Sequence, residues 1–277
     1  MLSRIWSTLS GLTGRQGADE MTEMQWHDSV LGELVCGRPH GDAKADKTLQ
    51  HLSRTINTFS TKGVRYLQEE FSEESKYFSA FCARVVLENS SAAIVGRLDP
   101  FRLLYLNEFQ SQPSFEHGAP AKSGFRWQGD VMNPDKPLGQ DRIWSSDVDI
   151  AKISRSLFSE HFDHLIWRPA YSELLDQIQS SGRDGFEELV SIEPEAFVPR
   201  MKGELGRLYS SLSKGVHWDF FNSAIEYDES SIKANLQDLF SRVSILGLTS
   251  HFIPTAYSSL MPDDAFGIYA QMRSHVS

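Results

Sequence analysis

Apolar residues recur every three or four positions along most of this chain. In segment 194–217, for example, one face carries Met201, Leu205, Leu208, Leu212 and Val216, which predicts a helix with one buried side. The same period predicts helices at 21–35, 44–60, 62–71, 73–97, 99–110, 147–166, 168–180, 194–217, 228–251 and 263–274. Strand-like alternation is rare, and no Asn-Gly or Asp-Gly turn joins two β-rich runs. The pattern therefore predicts an all-α fold, a multi-helix bundle.

Several predicted helices begin with an acidic residue or a proline. Asp99 stands directly before Pro100, and Asp228 is the first residue of the helix predicted at 228–251. Asp147 and Asp149 stand at the start of the helix predicted at 147–166, where they complement the helix dipole. The buried stripe expected for that helix consists of Ile150, Ile153, Leu157 and Phe158.

Residues 111–146 form the one long stretch with little helical period. The stretch is rich in proline and glycine and far longer than a usual connection, so we predict a long irregular loop, with a short hairpin around 125–131. The loop divides a helical half at 21–110 from a second half at 147–277, and both halves could form one domain. Such a loop is typical of a cover over a site or of a partner-binding excursion.

The first 20 residues predict a separate amphipathic arm. Within residues 1–18 there are two arginines and no acidic residue, and Leu2, Ile5, Trp6 and Leu9 share one helical face. The segment either docks on the body or a partner, or acts at a membrane surface or as a targeting signal. No apolar run approaches the roughly 18–20 residues that cross a bilayer, so we expect no stable membrane insertion.

Charge and cysteine content suggest a cytoplasmic protein with a protein partner. The net charge of −10 argues against a broad basic surface for nucleic acid, although a small RNA site stays compatible with it. Cys36 and Cys82 lie in apolar helical contexts, which favours buried thiols in a reducing compartment over a disulfide framework. We expect a partner protein, and we consider RNA and a second copy of the chain as further partners.

Segment 80–98 is nearly all apolar or small and carries an arginine and a glutamate four residues apart. Arg84 and Glu88 therefore share one face of a helix whose circumference is mostly buried. They form either an ion pair that fixes the register of the helix or a polar pocket that His217 also reaches.

A stripe of small residues runs beside the apolar face of segment 200–217. It comprises Gly203, Gly206, Ser210 and Ser213, and His217 is its next member. Because glycine costs about 1 kcal/mol in a helix interior relative to alanine, the stripe predicts close packing against the backbone. At the helix end, His217 is either a general acid or anion-binding group, or a C-terminal cap.

Common cofactor and metal motifs are absent from the sequence. There is no Gly-Lys dipeptide, no G-x-S-x-G, no H-E-x-x-H and no G-x-G-x-x-G after a strand, so we expect no cofactor. His161 and His164 lie three residues apart and could share a metal, but no second spaced cluster supplies the other ligands. We therefore predict no metal site.

The helical layout and the phrase Tyr209-x-x-Leu212-Ser213-x-x-Val216-His217 resemble HEPN-type helical proteins of bacterial toxin–antitoxin and anti-phage loci. Many of these are metal-independent RNases that work as dimers, in which an arginine is followed by a histidine after four to six residues. Arg207 precedes His217 by ten residues, about 15 Å of helix rise, which departs from that pattern. Arg155 and His161 match the spacing, with Ser156 where a different polar residue often follows the arginine.

The resemblance implies a component of a bacterial defence system in which histidine acts on a ribose 2′-hydroxyl and arginine stabilises the charged phosphorane. The candidate catalytic residues are therefore His217, Arg207, Glu88, Arg84, Arg155 and His161. The first alternative is a non-catalytic helical adaptor that binds a partner protein through the 111–146 loop and the N-terminal arm. A further alternative is a metal-dependent enzyme that uses Glu88, His161, His164 and His217.

Overall fold

The computed structural model describes residues 29–39, 41–119, 123–133, 142–218 and 228–276. The predicted arm at 1–20 and the first part of the helix predicted at 21–35 lie outside these residues. The described chain contains ten α-helices and no β-strand, which confirms the all-α prediction. In chain order they are α1 (Leu31–Cys36), α2 (Lys44–Gln68), α3 (Glu73–Leu98), α4 (Pro100–Gln110), α5 (Glu160–Phe162), α6 (Arg168–Ser181), α7 (Glu187–Val190), α8 (Pro194–His217), α9 (Glu229–Ser250) and α10 (Pro262–Val276).

Helix α3 is the central helix of the bundle and packs against α1, α2, α8 and α9. Its side chains are mostly apolar or small, so it is buried around much of its circumference. The buried apolar residues between Leu31 and Met272 form one core to which both predicted halves contribute. Helix α8 runs antiparallel to α3, because Tyr209 lies beside Arg84 while Trp218, at the other end, lies beside Tyr77.

The predicted break between 44–60 and 62–71 is wrong, because α2 is continuous from Lys44 to Gln68. Gly63 lies inside it, where a Cβ atom would come within 2.7 Å of Phe240 Cζ. The glycine therefore allows α2 to approach α9 closely and does not end a helix.

The helix starts agree only partly with the sequence patterns. Asp228 caps α9, since its side chain accepts a hydrogen bond from the backbone N–H of Ser231 at 2.7 Å. Pro100 occupies the first turn of α4 as expected, but the side chain of Asp99 makes no capping hydrogen bond.

The helix predicted at 147–166 is wrong over its first half. Only a single 3₁₀ turn forms, at Ile150–Lys152, and Ile150 is 83% exposed, although Leu157 and Phe158 are buried. Serine hydroxyls bind local backbone groups instead, as when Ser159 Oγ donates to Ser154 O at 3.0 Å. The backbone N–H groups of Leu157 and Phe158 donate to the carbonyls of Asp130 and Val131 in a distant segment. Tertiary hydrogen bonds thus replace the helical ones.

The described parts of the predicted loop at 111–146 contain no α-helix, as expected, but the hairpin around 125–131 does not form. Residues 127–131 make a tight turn in which Gly129 has φ +112°, a conformation that favours glycine. Trp127 stacks on Tyr209 of α8 with ring centroids 4.3 Å apart. This part of the loop is therefore fixed to the helical body.

Arg97 is fully buried where α1, α3 and α9 meet. Its five N–H groups donate to neutral acceptors, which are Tyr257 O, Val35 O, Ser250 Oγ, His251 Nδ1 and Ser259 Oγ. Burial lowers the pKa of this guanidinium to about 10. The two cysteines, Cys36 and Cys82, are buried free thiols, as predicted.

Helix α3 also has the length and composition of a membrane-spanning helix. In its most apolar 18-residue window 61% of the residues are buried inside the fold, and a buried core helix meets the same criterion. It is the one such helix among the described residues.

Candidate functional site

A cavity lies where α3 turns into α4. It has a volume of about 550 Å³ and is closed on its far side by the irregular segment that precedes α6. Its walls are Val95, Leu98, Asp99, Arg102, Asp130, Trp144, Ile150, Ile153, Ser154, Arg155, Leu157, His161, Phe162, Leu165 and Ile166. Pockets that bind small molecules are commonly of this size, mostly apolar, and lined by a few polar groups.

The corner between α3 and α4 shapes one side of this cavity. Because Asp99 precedes a proline, its backbone is biased away from the helical region, and α3 ends there. The two helices approach very closely, since a Cβ atom on Gly96 would lie 2.2 Å from Leu103 Cγ. This close approach aims Arg102 of α4 toward the cavity.

The opposite side is the turn at 127–131 joined to the segment at 154–158. Ser156 Oγ donates to Gly129 O at 2.6 Å, and Trp167 Nε1 donates to Leu157 O at 2.8 Å. Asp130 is held by the backbone N–H of Arg126 at 2.8 Å and by an ion pair with Arg102. An ion pair between α4 and the turn therefore fixes the cavity wall.

Two of the predicted catalytic residues, Arg155 and His161, line this cavity together. The ring of His161 is buried, and its Nε2 lies 3.0 Å from Ile143 O. Because a carbonyl oxygen only accepts, Nε2 carries a proton, and in the neutral ring Nδ1 is then the acceptor. Arg155 is exposed and has no hydrogen bond or ion pair within the part of the chain that the structure describes.

The rim of the cavity is apolar. Trp144, Ile150 and Leu165 are between 60 and 83% exposed while also lining it. The edge of Trp144 meets His161 and His164, with ring centroids 5.5 and 6.0 Å apart. His164 therefore contacts an aromatic ring beside the cavity.

The other predicted catalytic residues do not join this site. Arg84 and Glu88 form the expected ion pair, with Nε 2.7 Å from Oε1, but the Glu88 side chain is 41% exposed. The guanidinium of Arg84 also lies 3.5 Å above the ring of Tyr209, whose carbonyl accepts a hydrogen bond from Nη1. Arg84 thus ties α3 to α8.

Arg207 and His217 are both exposed on α8 and are not brought together. Arg207 forms an ion pair with Asp238 of α9, and His217 is the last residue of its helix. The predicted close packing along the small-residue stripe is wrong. A Cβ atom on Gly203 would meet nothing within 4 Å, and one on Gly206 only the end of Met132 at 3.8 Å.

An aromatic patch surrounds the end of α8 instead. We use this name for Tyr77, Phe78, Phe81 and Trp218, which are 43–55% exposed. Trp218 adopts a left-handed conformation, and its ring lies 5.0 Å from that of Tyr77. The cavity residues Val95 and Leu98 follow Phe78 by 17 and 20 positions in the same helix, so the patch lies about 28 Å from the cavity along α3.

Within the described residues no three His, Cys, Asp or Glu side chains lie close enough together to hold a metal ion. The metal-dependent enzyme considered above therefore has no ligand set in this part of the molecule.

Sequence reasoning missed Arg102, Asp130 and Trp144 as cavity residues. They come from three segments separated by 28 and 14 positions, and no local spacing relates them. The one usable signal was the Asp99-Pro100 corner, which places the start of α4 beside the end of α3.

No family model, curated protein or solved structure matches this chain.

Proposed function

We propose that this chain is a non-catalytic helical interaction subunit that binds a basic partner protein through the aromatic patch. The observation that carries the proposal is the exposure of three large aromatic side chains within one stretch of α3, together with Trp218 at the end of α8, whose ring contacts that of Tyr77. Exposed apolar clusters of this kind are typical of interaction sites, and Trp and Tyr are enriched among the residues that dominate binding energy.

The helix that carries most of the aromatic patch is held firmly in the bundle, as a binding surface requires. Tyr77, Phe78 and Phe81 belong to α3, which packs on α1, α2, α4, α8 and α9, so they sit on a fixed backbone. Phe81 is braced by an edge contact with Phe59 of α2 at 5.8 Å. A preorganised aromatic surface loses little side-chain entropy when a partner covers it.

The charge beside the patch favours a basic partner. Glu70, Glu73 and Glu74 are exposed just before and at the start of α3, and they outnumber the one lysine there, Lys76, whose Nζ lies 5.9 Å from the centre of the Tyr77 ring. The protein also carries a net charge of −10. A second copy would bring the same acidic rim to the interface, and RNA would be repelled by it, so both are disfavoured as occupants.

The experiment is quantitative affinity purification of the tagged protein from cells that naturally contain it. We expect a basic protein to be recovered with the wild type and to fall at least about tenfold with Tyr77→Ser/Trp218→Ser, because the two truncated anchors together cost on the order of 2–4 kcal/mol. Phe101→Ser/Tyr105→Ser is the matched control, since it removes two exposed aromatics from α4. Equal recovery with both double variants would overturn the proposal.

A second candidate function is metal-independent RNA cleavage, as the resemblance to HEPN-type proteins implies. The observation in its favour is that Arg155 and His161, which match the family spacing, line one cavity. In this reading His161 Nδ1 takes the proton of the 2′-hydroxyl, and Arg155 stabilises the phosphorane. The setting in a bacterial defence system rests on the resemblance alone.

RNA cleavage in EDTA tests this second candidate. If it holds, Arg155→Ala and His161→Ala abolish cleavage of tRNA or total RNA, whereas Arg54→Ala on α2 leaves it intact. His217→Ala is expected to retain activity, because His217 lies at the far end of α8 from the cavity. Circular dichroism establishes that each variant is folded. No cleavage by the wild type would eliminate this candidate.

A further inference from the structure

The cavity between α3, α4 and the segment before α6 is a candidate site that the proposed function does not use. We propose that it binds a small amphipathic monoanion, one carboxylate on an apolar body. The site lies about 28 Å from the aromatic patch along α3, so the inference stands apart from partner binding.

The mostly apolar walls of the cavity favour a ligand with an apolar body. Val95, Leu98 and Leu157 form the floor, and Phe162 and Ile166 continue it toward α6. A volume of about 550 Å³ lies within the range of pockets that enclose most of a small ligand. The exposed rim residues Trp144, Ile150 and Leu165 extend this apolar surface outward, and a bound hydrocarbon chain would cover part of it.

The charged side chains of the lining favour a carboxylate on the ligand. Of the two guanidinium groups in the lining, Arg102 is already paired with Asp130. Arg155 has no such partner within the described residues, and a planar guanidinium binds a carboxylate through two parallel hydrogen bonds.

The remaining acidic group of the lining limits the charge of the ligand. The side chain of Asp99 faces the same space and would repel a second negative charge, so a monoanion fits better than a phosphorylated dianion. His161 lines the same cavity, and because its Nε2 is bonded to Ile143 O, its Nδ1 is the nitrogen that can accept a hydrogen bond from a hydroxyl on the ligand.

The probe is decanoate, with decan-1-ol as the neutral analogue of the same chain length, measured by isothermal titration calorimetry on the full chain. We expect decanoate to bind one-to-one and at least about tenfold more tightly than decan-1-ol, because a charge-assisted hydrogen bond distinguishes them. Arg155→Gln should remove this difference. Arg54→Gln, an exposed arginine on α2, should preserve it.

A charge pair at the rim gives a second test that does not depend on Arg155. Ile150 is exposed, so Ile150→Asp and Ile150→Lys should both fold. The aspartate variant should bind decanoate more weakly than the lysine variant by roughly threefold or more, with little change for decan-1-ol.

Three results would overturn the proposal. They are the absence of decanoate binding to the wild type, equal affinity for decanoate and decan-1-ol, and unchanged decanoate binding in folded Arg155→Gln. A fourth contrary result is the loss of decanoate binding in Tyr77→Ser/Trp218→Ser, because the ligand would then occupy the aromatic patch and not the cavity.

Discussion

Replacement of Arg97 by methionine tests how the bundle is held together at the end that carries the cavity. The side chain is fully buried, and its five N–H groups link the last turns of α1 and α9 to the segment at 257–259. Methionine has a similar length but no donor. Each of those five acceptors loses its bond to Arg97.

Two opposing contributions set how much stability Arg97→Met should lose. The charged form of Arg97 is disfavoured by burial, which lowers its pKa to about 10 and corresponds to roughly 3 kcal/mol. Five hydrogen bonds from a charged donor contribute on the order of 1.5–3 kcal/mol each. The bonds therefore outweigh the desolvation, by about 4 kcal/mol when each bond is taken at the low end of that range. We therefore expect Arg97→Met to lose about 4 kcal/mol.

Urea unfolding followed by circular dichroism measures this loss as a shift of the transition midpoint at constant slope. Arg97→Lys keeps the charge but has at most three donors in a different geometry, so it should lose about 2 kcal/mol or more. Arg54→Met, on the exposed face of α2, should change stability by less than about 0.5 kcal/mol. A change that small in Arg97→Met would refute the reasoning.

Three further predictions concern pH, glycine packing and the ion pair on α3. Burial lowers the pKa of His251 well below 6.5, so the unfolded chain binds a proton that the folded chain does not. Stability should therefore fall as the pH drops below about 6.5, by up to about 1.4 kcal/mol per pH unit, and His251→Gln should flatten that dependence in urea titrations at several pH values. Gly96→Ala should lower the stability of the fold by about 1–3 kcal/mol, because the added Cβ would collide with Leu103. Gly203→Ala should raise it by up to about 1 kcal/mol, because the new methyl group meets nothing. Thermal melts that rank the two variants the other way would contradict this account. Glu88→Gln should cost less than about 1 kcal/mol in the same assay, because its side chain is 41% exposed, and a larger loss would mean that the ion pair is effectively buried.

Periodicity predicted most of the bundle because most helices bury one continuous apolar face. Helix α8 begins and ends at the predicted residues, where Pro194 sets the start. Periodicity failed at 147–159, where Leu157 and Phe158 are buried by an extended segment bonded to the turn at 127–131. The same apolar spacing is compatible with both outcomes, and a partner segment distant in sequence decides between them.

The glycines illustrate the same limit. Helix-interior glycine indicates close packing only when a neighbour is present, and the sequence does not reveal where neighbours lie. Gly96 and Gly63 have such neighbours, since a Cβ atom would lie 2.2 Å from Leu103 at the first position and 2.7 Å from Phe240 at the second. Gly203 faces open space. The small-residue stripe on α8 therefore does not mark close packing against another backbone.

The candidate site was only partly predictable. Arg155 and His161 could be named together because they are close in sequence, while Arg102 and Asp130 meet only through the corner between α3 and α4. The aromatic patch was hidden for a similar reason. Trp218 stands next to His217 in the sequence, but its neighbour in the fold, Tyr77, lies 141 positions away.

Site-specific photocrosslinking from position 78 tests the proposed partner surface most directly. A photoreactive amino acid replaces Phe78, which at 55% is the most exposed residue of the aromatic patch, or Arg54 on α2 as a control, in cells that naturally contain the protein. We predict a crosslink to one basic protein from position 78 that is absent from position 54 and is lost when Tyr77→Ser/Trp218→Ser is added. No crosslink from position 78, or the same products from both positions, would contradict the assignment of this patch as the partner-binding surface.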